Sequence, residues 1–163
     1  MTSEVIDRRG YRLNVGIVIM NQQGNLLWCR RIGHVNAWQF PQGGILRDET
    51  PKEAMYRELS EELGLTPNDV ECLAETSRWL SYRLPRQYRR YKDQPLCVGQ
   101  TQKWFLLRLL VDDSYIQLER SENPEFNRWR WVRYWYPLKH VISFKRHVYR
   151  KVLQEFDKVQ GPC

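Results

Sequence analysis

The sequence predicts an α+β fold in which a mixed β-sheet lies between helices. Two segments show the 3.6-residue spacing of amphipathic helices, one after Pro51 and one over about 143–159. Between them lie short runs rich in β-branched and aromatic residues, which favour strands. The 163 residues, 42% of them hydrophobic, are enough for one core, so we expect a single domain over residues 1–163.

Strand candidates occur along most of the chain. The run Asn14–Met20 is rich in β-branched residues, a polar turn with Gly24 follows, and "LLWCR" comes next, which predicts a β-hairpin. "AWQFPQGG" predicts a short strand that runs into a Pro/Gly loop. Further extended candidates are "VECLAETSRWLSYRL", "QKWFLLRLLV" and "RWRWV".

The first helix has a clear beginning and end. Thr50 and Glu53 have the spacing of a capping box, and Pro51 lies at the first helical position. Gly64 supplies the residue that most readily adopts a left-handed conformation after a helix. The last helix is predicted over about 143–159 because its apolar residues recur at helical spacing.

Three acidic residues fall on one side of the first helix. Glu58, Glu61 and Glu62 lie within roughly 100° of one another, next to the apolar stripe. Glu58 and Glu62 are like charges four residues apart, which destabilises a helix by about 0.2–0.5 kcal/mol. Glu61 and Glu62 lie in the last turn, where the helix dipole favours cations over anions by roughly 0.3–1 kcal/mol. A solvated acidic face is the ordinary interpretation. A divalent cation such as Mg²⁺ or Mn²⁺ would reverse both penalties, which favours a metal site.

The spacing of these acids matches a specific motif. Gly43, five residues, Glu49, seven residues, and then "RELSEELGL" from Arg57 fit G-x5-E-x7-R-E-U-x-E-E-x-G-U at every fixed position. Segment 43–65 thus resembles the Nudix box of the Nudix hydrolase family. The resemblance implies an α/β/α sandwich and Mg²⁺-dependent hydrolysis of a nucleoside diphosphate that is linked to another group.

The resemblance also implies roles for the motif residues. The expected metal ligands are Glu58, Glu61 and Glu62. Arg57 and Glu49 would form a supporting ion pair. Gly43 and Gly44 would let the backbone come close to metal and phosphate.

A late glutamate completes the metal site of related enzymes, and Glu125 in "SENPEFNRW" is the corresponding residue. Glu58, Glu62 and Glu125 are all candidates for the general base, and the sequence does not choose among them. Neighbouring carboxylates raise the pKa of such a group, whereas a bound cation lowers it. We expect more than one ion, with Mg²⁺ replaceable by Mn²⁺ or another divalent cation.

The chain has a strong positive charge, with 26 Lys and Arg against 19 Asp and Glu and a net charge of +7. Segment 77–94 interleaves basic and aromatic residues, namely Arg78, Trp79, Tyr82, Arg83, Arg86, Tyr88, Arg89, Arg90, Tyr91 and Lys92. Basic side chains can follow phosphates while aromatic rings stack on bases. For any one residue a solvated or core-anchored position is about equally favoured. The whole pattern, however, indicates a polyanionic substrate.

A narrower resemblance extends over residues 10 to about 156. The runs "GYRLNVGIVI", "WQFPQGGI", "GQTQKWFLLRL", "PEFNRWRWVRYWYP" and "VISFKRHVYRKV" resemble the bacterial RNA pyrophosphohydrolases. That family removes phosphates from the triphosphorylated 5′ end of single-stranded RNA and leaves a monophosphate, which initiates mRNA decay. By this resemblance Arg12 and Lys145 would contact phosphates. Arg31 and Phe144 would hold a base near the 5′ end.

Two alternatives stay open at this point. One is a hydrolase of dinucleoside polyphosphates such as diadenosine tetraphosphate, and the other is a Nudix-like domain that binds RNA without cleaving it. For Phe144, a core position competes with the binding role. The sequence shows neither a signal peptide nor a membrane span, so we expect a cytoplasmic monomer with no membrane or DNA partner. A regulatory protein partner stays open.

Overall fold

The computed structural model describes residues 4–34, 37–89, 91 and 96–159. Within these residues eight strands form one mixed sheet. The strands are β1 (Tyr11–Met20), β2 (Leu26–Arg31), β3 (Trp38–Gln39), β4 (Gln42–Gly44), β5 (Val70–Glu75), β6 (Leu80–Arg83), β7 (Gly99–Leu109) and β8 (Phe126–Val132). The α-helices are α1 (Pro51–Leu63), α2 (Tyr136–His140) and α3 (Arg146–Asp157). Short 3-10 turns lie at Pro67–Asp69, Arg86–Tyr88, Asp113–Tyr115 and Ser143–Lys145.

Strand β1 organises the sheet. It pairs in parallel with β7 along its whole length, from Tyr11 opposite Gly99 to Met20 opposite Arg108. Its other edge pairs antiparallel with β4 in the middle of the strand and with β2 at its end, where Met20 lies opposite Leu26. Beyond these, β5 and β6 pair with β7, while β3 and β8 pair with β2, all antiparallel. The predicted mixed sheet and the predicted hairpin are therefore both present.

Each face of the sheet carries a hydrophobic core. On one face Leu59 and Leu63 of α1 pack with Val15 and Ile17 of β1, and all four are fully buried. The other core contains the α3 residues Val148, Tyr149, Val152, Leu153 and Phe156. The alternation of side chains along a strand sends neighbouring residues into opposite cores. The sheet is thus enclosed between helices, and the predicted α/β/α sandwich is confirmed.

An aromatic cluster joins α3 to the segment between β3 and β4. The rings of Phe40 and Tyr149 stack with centroids 4.8 Å apart, and the Phe40 N–H donates to the Tyr149 hydroxyl at 3.0 Å. Trp28 and Trp104 pack edge-on against both rings. Gly16 makes room for them, because a Cβ there would lie 2.3 Å from the Trp104 ring. This packing fixes the position of β3 and β4, which form one wall of the site.

Helix α1 has the predicted limits. Thr50 Oγ1 accepts a hydrogen bond from the Glu53 N–H at 3.1 Å, and the Glu53 carboxylate accepts one from the Thr50 N–H at 3.0 Å. Gly64 ends the helix with φ of 68°. These signals lie within a few residues of each terminus, which is why the sequence predicts them well.

The last helix was predicted too long. It begins at Arg146 and ends at Asp157, and Ser143–Lys145 forms a 3-10 turn before it. Phe144 therefore does not lie on the apolar stripe of the helix. The predicted Pro/Gly loop also differs, because Gln42–Gly44 forms strand β4 against β1. Helix α2 was not predicted, since it is short and has no side-chain cap.

Candidate active site

Arg57 joins the acidic side of α1 to the loop before it. Its Nε and Nη2 donate to the two carboxylate oxygens of Glu49 at 2.6 and 3.0 Å. Nη2 also donates to the Gly44 carbonyl at 2.8 Å, and Nη1 donates to Glu58 and Glu61 at 2.9 and 3.2 Å. The hydrogen bonds from Arg57 hold the pKa of Glu49 below its usual value. Arg57 therefore orients two carboxylates of the acidic cluster.

The acidic cluster consists of Glu58, Glu61 and Glu62, whose carboxylate oxygens can lie within 4.8 Å of one another. Glu61 is exposed, but Glu58 and Glu62 are each only 8% exposed. Burial raises the pKa of Glu58 to about 8 against the opposing effect of Arg57, and it also raises the pKa of Glu62. A solvated acidic face is therefore wrong for these two residues. Clustered oxygen donors of this kind suit a hard divalent cation.

Gly43 brings the backbone of β4 against this cluster. A Cβ at Gly43 would lie 2.0 Å from Cδ of Glu58 and 2.3 Å from one of its oxygens. Glycine is therefore needed for the carboxylate to take this position. The close oxygen donors and the glycine beside them fit a divalent cation.

Glu125 borders the acidic cluster from the segment before β8. Its N–H donates to the Glu62 carboxylate at 3.1 Å. Burial and the charge of Glu62 raise the pKa of the Glu125 carboxyl to about 7, although Arg31 and Lys145 act in the opposite direction. The acidic cluster lies on α1, so Glu125 is a carboxylate that approaches the cluster from a different segment of the chain.

A cleft of about 890 Å³ opens beside the acidic cluster. Gly43, Gly44 and Glu125 line it where it meets the acids. The four predicted substrate-binding residues also line it, namely Arg12, Arg31, Phe144 and Lys145. The volume is in the range of small-molecule sites. The fold therefore brings the predicted binding residues to one cavity next to the predicted metal ligands.

Lys145 lies deep in the cleft wall and is only 7% exposed. Its Nζ donates to Oε1 of Gln39 at 3.1 Å and to Oε1 of Gln42 at 3.3 Å. Burial and the nearby charge of Arg31 lower the pKa of its ammonium to about 8. The sequence analysis missed both glutamines. Their one signal is the polar residue on each side of "FP" in "WQFPQGG", and it does not predict a lysine more than a hundred positions away.

Arg12 contacts a second residue that the sequence analysis missed. Its Nε lies 2.8 Å from a carboxylate oxygen of Glu4, yet this buried N–H is outside hydrogen-bonding geometry. The Glu4 carboxylate also covers Gly44, where a Cβ would lie 2.4 Å from Glu4 Cδ. Arg12 is thus paired with Glu4 in charge, yet one of its buried N–H groups lacks a well-aligned acceptor, which is costly.

Aromatic residues form the wall of the cleft near Phe144. Its ring centroid lies 5.7 Å from that of Tyr82 and 5.4 Å from that of Tyr88. Tyr82 is buried, whereas Tyr88 is 50% exposed. Burial raises the pKa of Tyr82 to about 12, so its hydroxyl stays neutral, and it accepts a hydrogen bond from Nε2 of Gln42 at 3.2 Å. Phe144 is half-buried at the cavity and does not belong to the interior of the α3 core.

The basic segment 77–94 contributes less to the cleft than the sequence suggests. Its described residues that line the cavity are Tyr82, Leu84 and Tyr88. Arg89 donates to the Leu84 carbonyl at 2.9 Å, which gives it a structural contact. The exposed residues outside the lining include Arg78, Trp79, Arg83, Arg86 and Tyr91. Arg90 and Lys92 lie outside the described residues.

Comparison with known proteins shows the family of the chain. The NUDIX domain matches residues 10–156. The chain therefore belongs to the Nudix hydrolase family and is an enzyme of its pyrophosphohydrolase class. An RNA pyrophosphohydrolase of Coxiella burnetii is 59% identical over 157 residues, covering 96% of this chain and 69% of that protein. One of Cellvibrio japonicus is 60% identical over 151 residues, covering 93% and 89%. The resemblance to bacterial RNA pyrophosphohydrolases is thus confirmed.

Solved structures support the fold at lower identity. The E. coli dihydroneopterin triphosphate pyrophosphohydrolase has a TM-score of 0.69 at 18% identity, covering 93% of this chain and 99% of that one. A C. elegans Ap4A hydrolase in a binary complex has a TM-score of 0.65 at 20% identity, covering 90% and 98%. At these identities the likeness concerns the fold alone. Among the described residues, no helix has the length and apolar character needed to cross a membrane.

Proposed function

We propose that this enzyme hydrolyses the 5′-triphosphate end of single-stranded RNA to a 5′-monophosphate with Mg²⁺ as cofactor. Pyrophosphate or phosphate leaves, and the product is open to mRNA decay in the cytoplasm. One observation carries the proposal: a single cleft that borders the acidic cluster at Gly43 and Glu125 is lined by cationic and aromatic side chains of the kind that hold phosphates and bases. The names of relatives at 54–60% identity support the same substrate.

The chain's own residues have distinct roles in this proposal. The acidic cluster, with the Gly43 backbone and Glu125, would hold divalent cations, which supply charge neutralisation at the phosphate oxygens and activation of water. Lys145 and Arg12, which line the same cleft, neutralise the phosphates. Arg31 and Phe144 hold a base near the 5′ end between a guanidinium and a ring, as is usual for unstacked RNA bases.

A carboxylate must also accept the proton of the attacking water. Of the three candidates, Glu125 lines the cleft directly, whereas Glu58 is bound by Arg57. We therefore favour Glu125 as the general base.

The proposed activity is tested with a short single-stranded RNA that carries a 5′ triphosphate, with and without Mg²⁺. The expected product is 5′-monophosphorylated RNA that forms only with the metal. Glu58→Gln and Glu61→Gln should abolish turnover with the fold intact, as judged by circular dichroism. Full activity in both variants would overturn the assignment of the acidic cluster.

A parallel reaction on diadenosine tetraphosphate tests the first alternative. We expect the enzyme to cleave that dinucleotide slowly. We also expect Phe144→Ala to lower the rate of RNA hydrolysis. If the enzyme cleaves the dinucleotide and not the RNA, its substrate is a dinucleoside polyphosphate and Phe144 has a structural role. The second alternative, a binder without catalysis, gains nothing from two buried carboxylates held side by side. RNA affinity without any metal-dependent product would support it.

A further inference from the structure

Four planar side chains form a continuous row beside the cleft. The rings of His140 and Tyr136 are nearly parallel, with centroids 3.8 Å apart and an interplanar angle of 11°. The Arg130 guanidinium carbon lies 5.2 Å from the Tyr136 ring centroid and 4.9 Å from that of Trp38. Its Nη2 donates to the Tyr136 hydroxyl at 2.6 Å. We call the row from His140 through Tyr136 and Arg130 to Trp38 the rim stack.

The two ends of the rim stack belong to the cleft wall. Trp38 and His140 line the same cavity as Phe144 and Lys145. His140 is exposed, and its Nδ1 lies 3.0 Å from the Tyr136 carbonyl, which fixes the ring against its neighbour. Ile142 beside it also lines the cavity and is 42% exposed. The cleft therefore has an ordered and accessible π surface beyond the residues that have been given a role.

The chain around the rim stack is strongly cationic. No acidic residue occurs in the sequence between Glu125 and Glu155. The basic residues of that stretch are Arg128, Arg130, Arg133, Lys139, Lys145, Arg146, Arg150 and Lys151. Exposed aromatic planes among uncompensated cations are typical of surfaces that bind single-stranded nucleic acid, where bases stack and phosphates pair with the charges.

We propose that the rim stack is a subsite for the third unpaired base from the 5′ end of the substrate, on the 3′ side of the base that Arg31 and Phe144 hold. The proposal rests on the proposed function, because it requires RNA in the cleft. The base would stack on the outer face of His140, while exposed cations such as Lys139 pair with the phosphates that follow. The subsite would make the enzyme favour ends with several unpaired nucleotides over the shortest substrates.

Length-dependent kinetics test this subsite. His140→Ala is compared with the parent enzyme on triphosphorylated RNAs of two and of five nucleotides. We expect the KM of the longer RNA to rise about 5-fold or more, the lower end of what one stacked base contributes, with kcat unchanged. The dinucleotide, which cannot reach the subsite, should keep its KM. His140→Phe should restore the affinity, since it keeps a planar ring.

The matched control is His147→Ala, which removes an exposed histidine that does not line the cavity. It should leave both RNAs unaffected. An equal loss on the two lengths, or no loss on either, would overturn the subsite. If the parent enzyme cleaves neither RNA, the proposed function itself fails, and the two failures are therefore distinguishable.

Photocrosslinking gives a readout that does not depend on turnover. A five-nucleotide triphosphorylated RNA with 4-thiouridine at the third position is irradiated with the Glu58→Gln enzyme, and the crosslinked peptide is identified by mass spectrometry. Crosslinks to residues 136–142 are expected, and His140→Ala should reduce them. Crosslinks to segment 77–94 instead would overturn the proposal and give the further base to the exposed Tyr88 side of the cleft.

Discussion

Replacing Gly43 with alanine tests the metal centre with one methyl group. The added Cβ would lie 2.0 Å from Glu58 Cδ, whereas ordinary contact begins near 3.4 Å, so the carboxylate would have to move by about 1.4 Å. It cannot move freely, because it is buried and bound by Arg57. A displacement of about 1 Å at a catalytic group can cost on the order of 100-fold in rate, so we expect a loss of that size in kcat/KM.

Stability should change much less than activity. Overpacking of this kind costs about 1–3 kcal/mol, and each kcal/mol lowers the Tm by roughly 2–4 °C in a chain of this size. Mn²⁺ affinity, measured by titration calorimetry, should fall together with activity. Gly44→Ala is the matched comparison, because its Cβ would meet the flexible end of Glu4, which can move aside, and its Mn²⁺ affinity should change little. Parental activity and Mn²⁺ affinity in Gly43→Ala would refute the reasoning.

Three further predictions concern the charges of the cleft. Glu4→Gln should raise the affinity for a triphosphate end about 1.5–5-fold, because a partly exposed ion pair with Arg12 is worth roughly 0.2–1 kcal/mol. A binding isotherm that shows the same gain in an Arg12→Ala background would contradict this. Because the pKa of Lys145 is lowered to about 8, its positive charge is present below that pH and lost above it. RNA affinity should therefore fall as the pH rises through about 8, and a Lys145→Arg variant with the same fall would exclude Lys145 as the cause. Removing divalent cations with EDTA should stop turnover without unfolding, as circular dichroism would check, since both cores are built of apolar side chains. Turnover that persists in EDTA would count against the metal site.

The parts of the structure that the sequence predicts well depend on short-range signals. Helix α1 begins and ends as predicted, because its capping residues and terminal glycine act on their immediate neighbours. The acidic cluster follows from helical spacing alone, which places Glu58, Glu61 and Glu62 on one side of a known helix. A motif with fixed spacing then identifies the family.

The parts that the sequence does not predict depend on distant contacts. Lys145 reaches Gln39 and Gln42 only because α3 packs on the aromatic cluster, and no local pattern reports such a contact. The Glu4–Arg12 pair joins a terminal segment to the first strand in a way that charge counting does not show. The hydrogen bond from the Glu125 N–H to Glu62, which acts against the rise in pKa that burial causes, likewise joins residues 63 positions apart.

The parallel pairing of β1 with β7 has a consequence for biosynthesis. Strand β1 is synthesised well before β7, so the edge of β1 that pairs with β7 has no partner until residues 99–109 have been made. Contacts between such distant segments form slowly, because a long intervening loop must close first. The cleft needs Glu125, Phe144 and Lys145 as well, so a nascent chain can hold the complete Nudix motif long before it can bind a substrate. Catalytic competence therefore arises only after α3 and the segment before it have been made and have docked on the sheet.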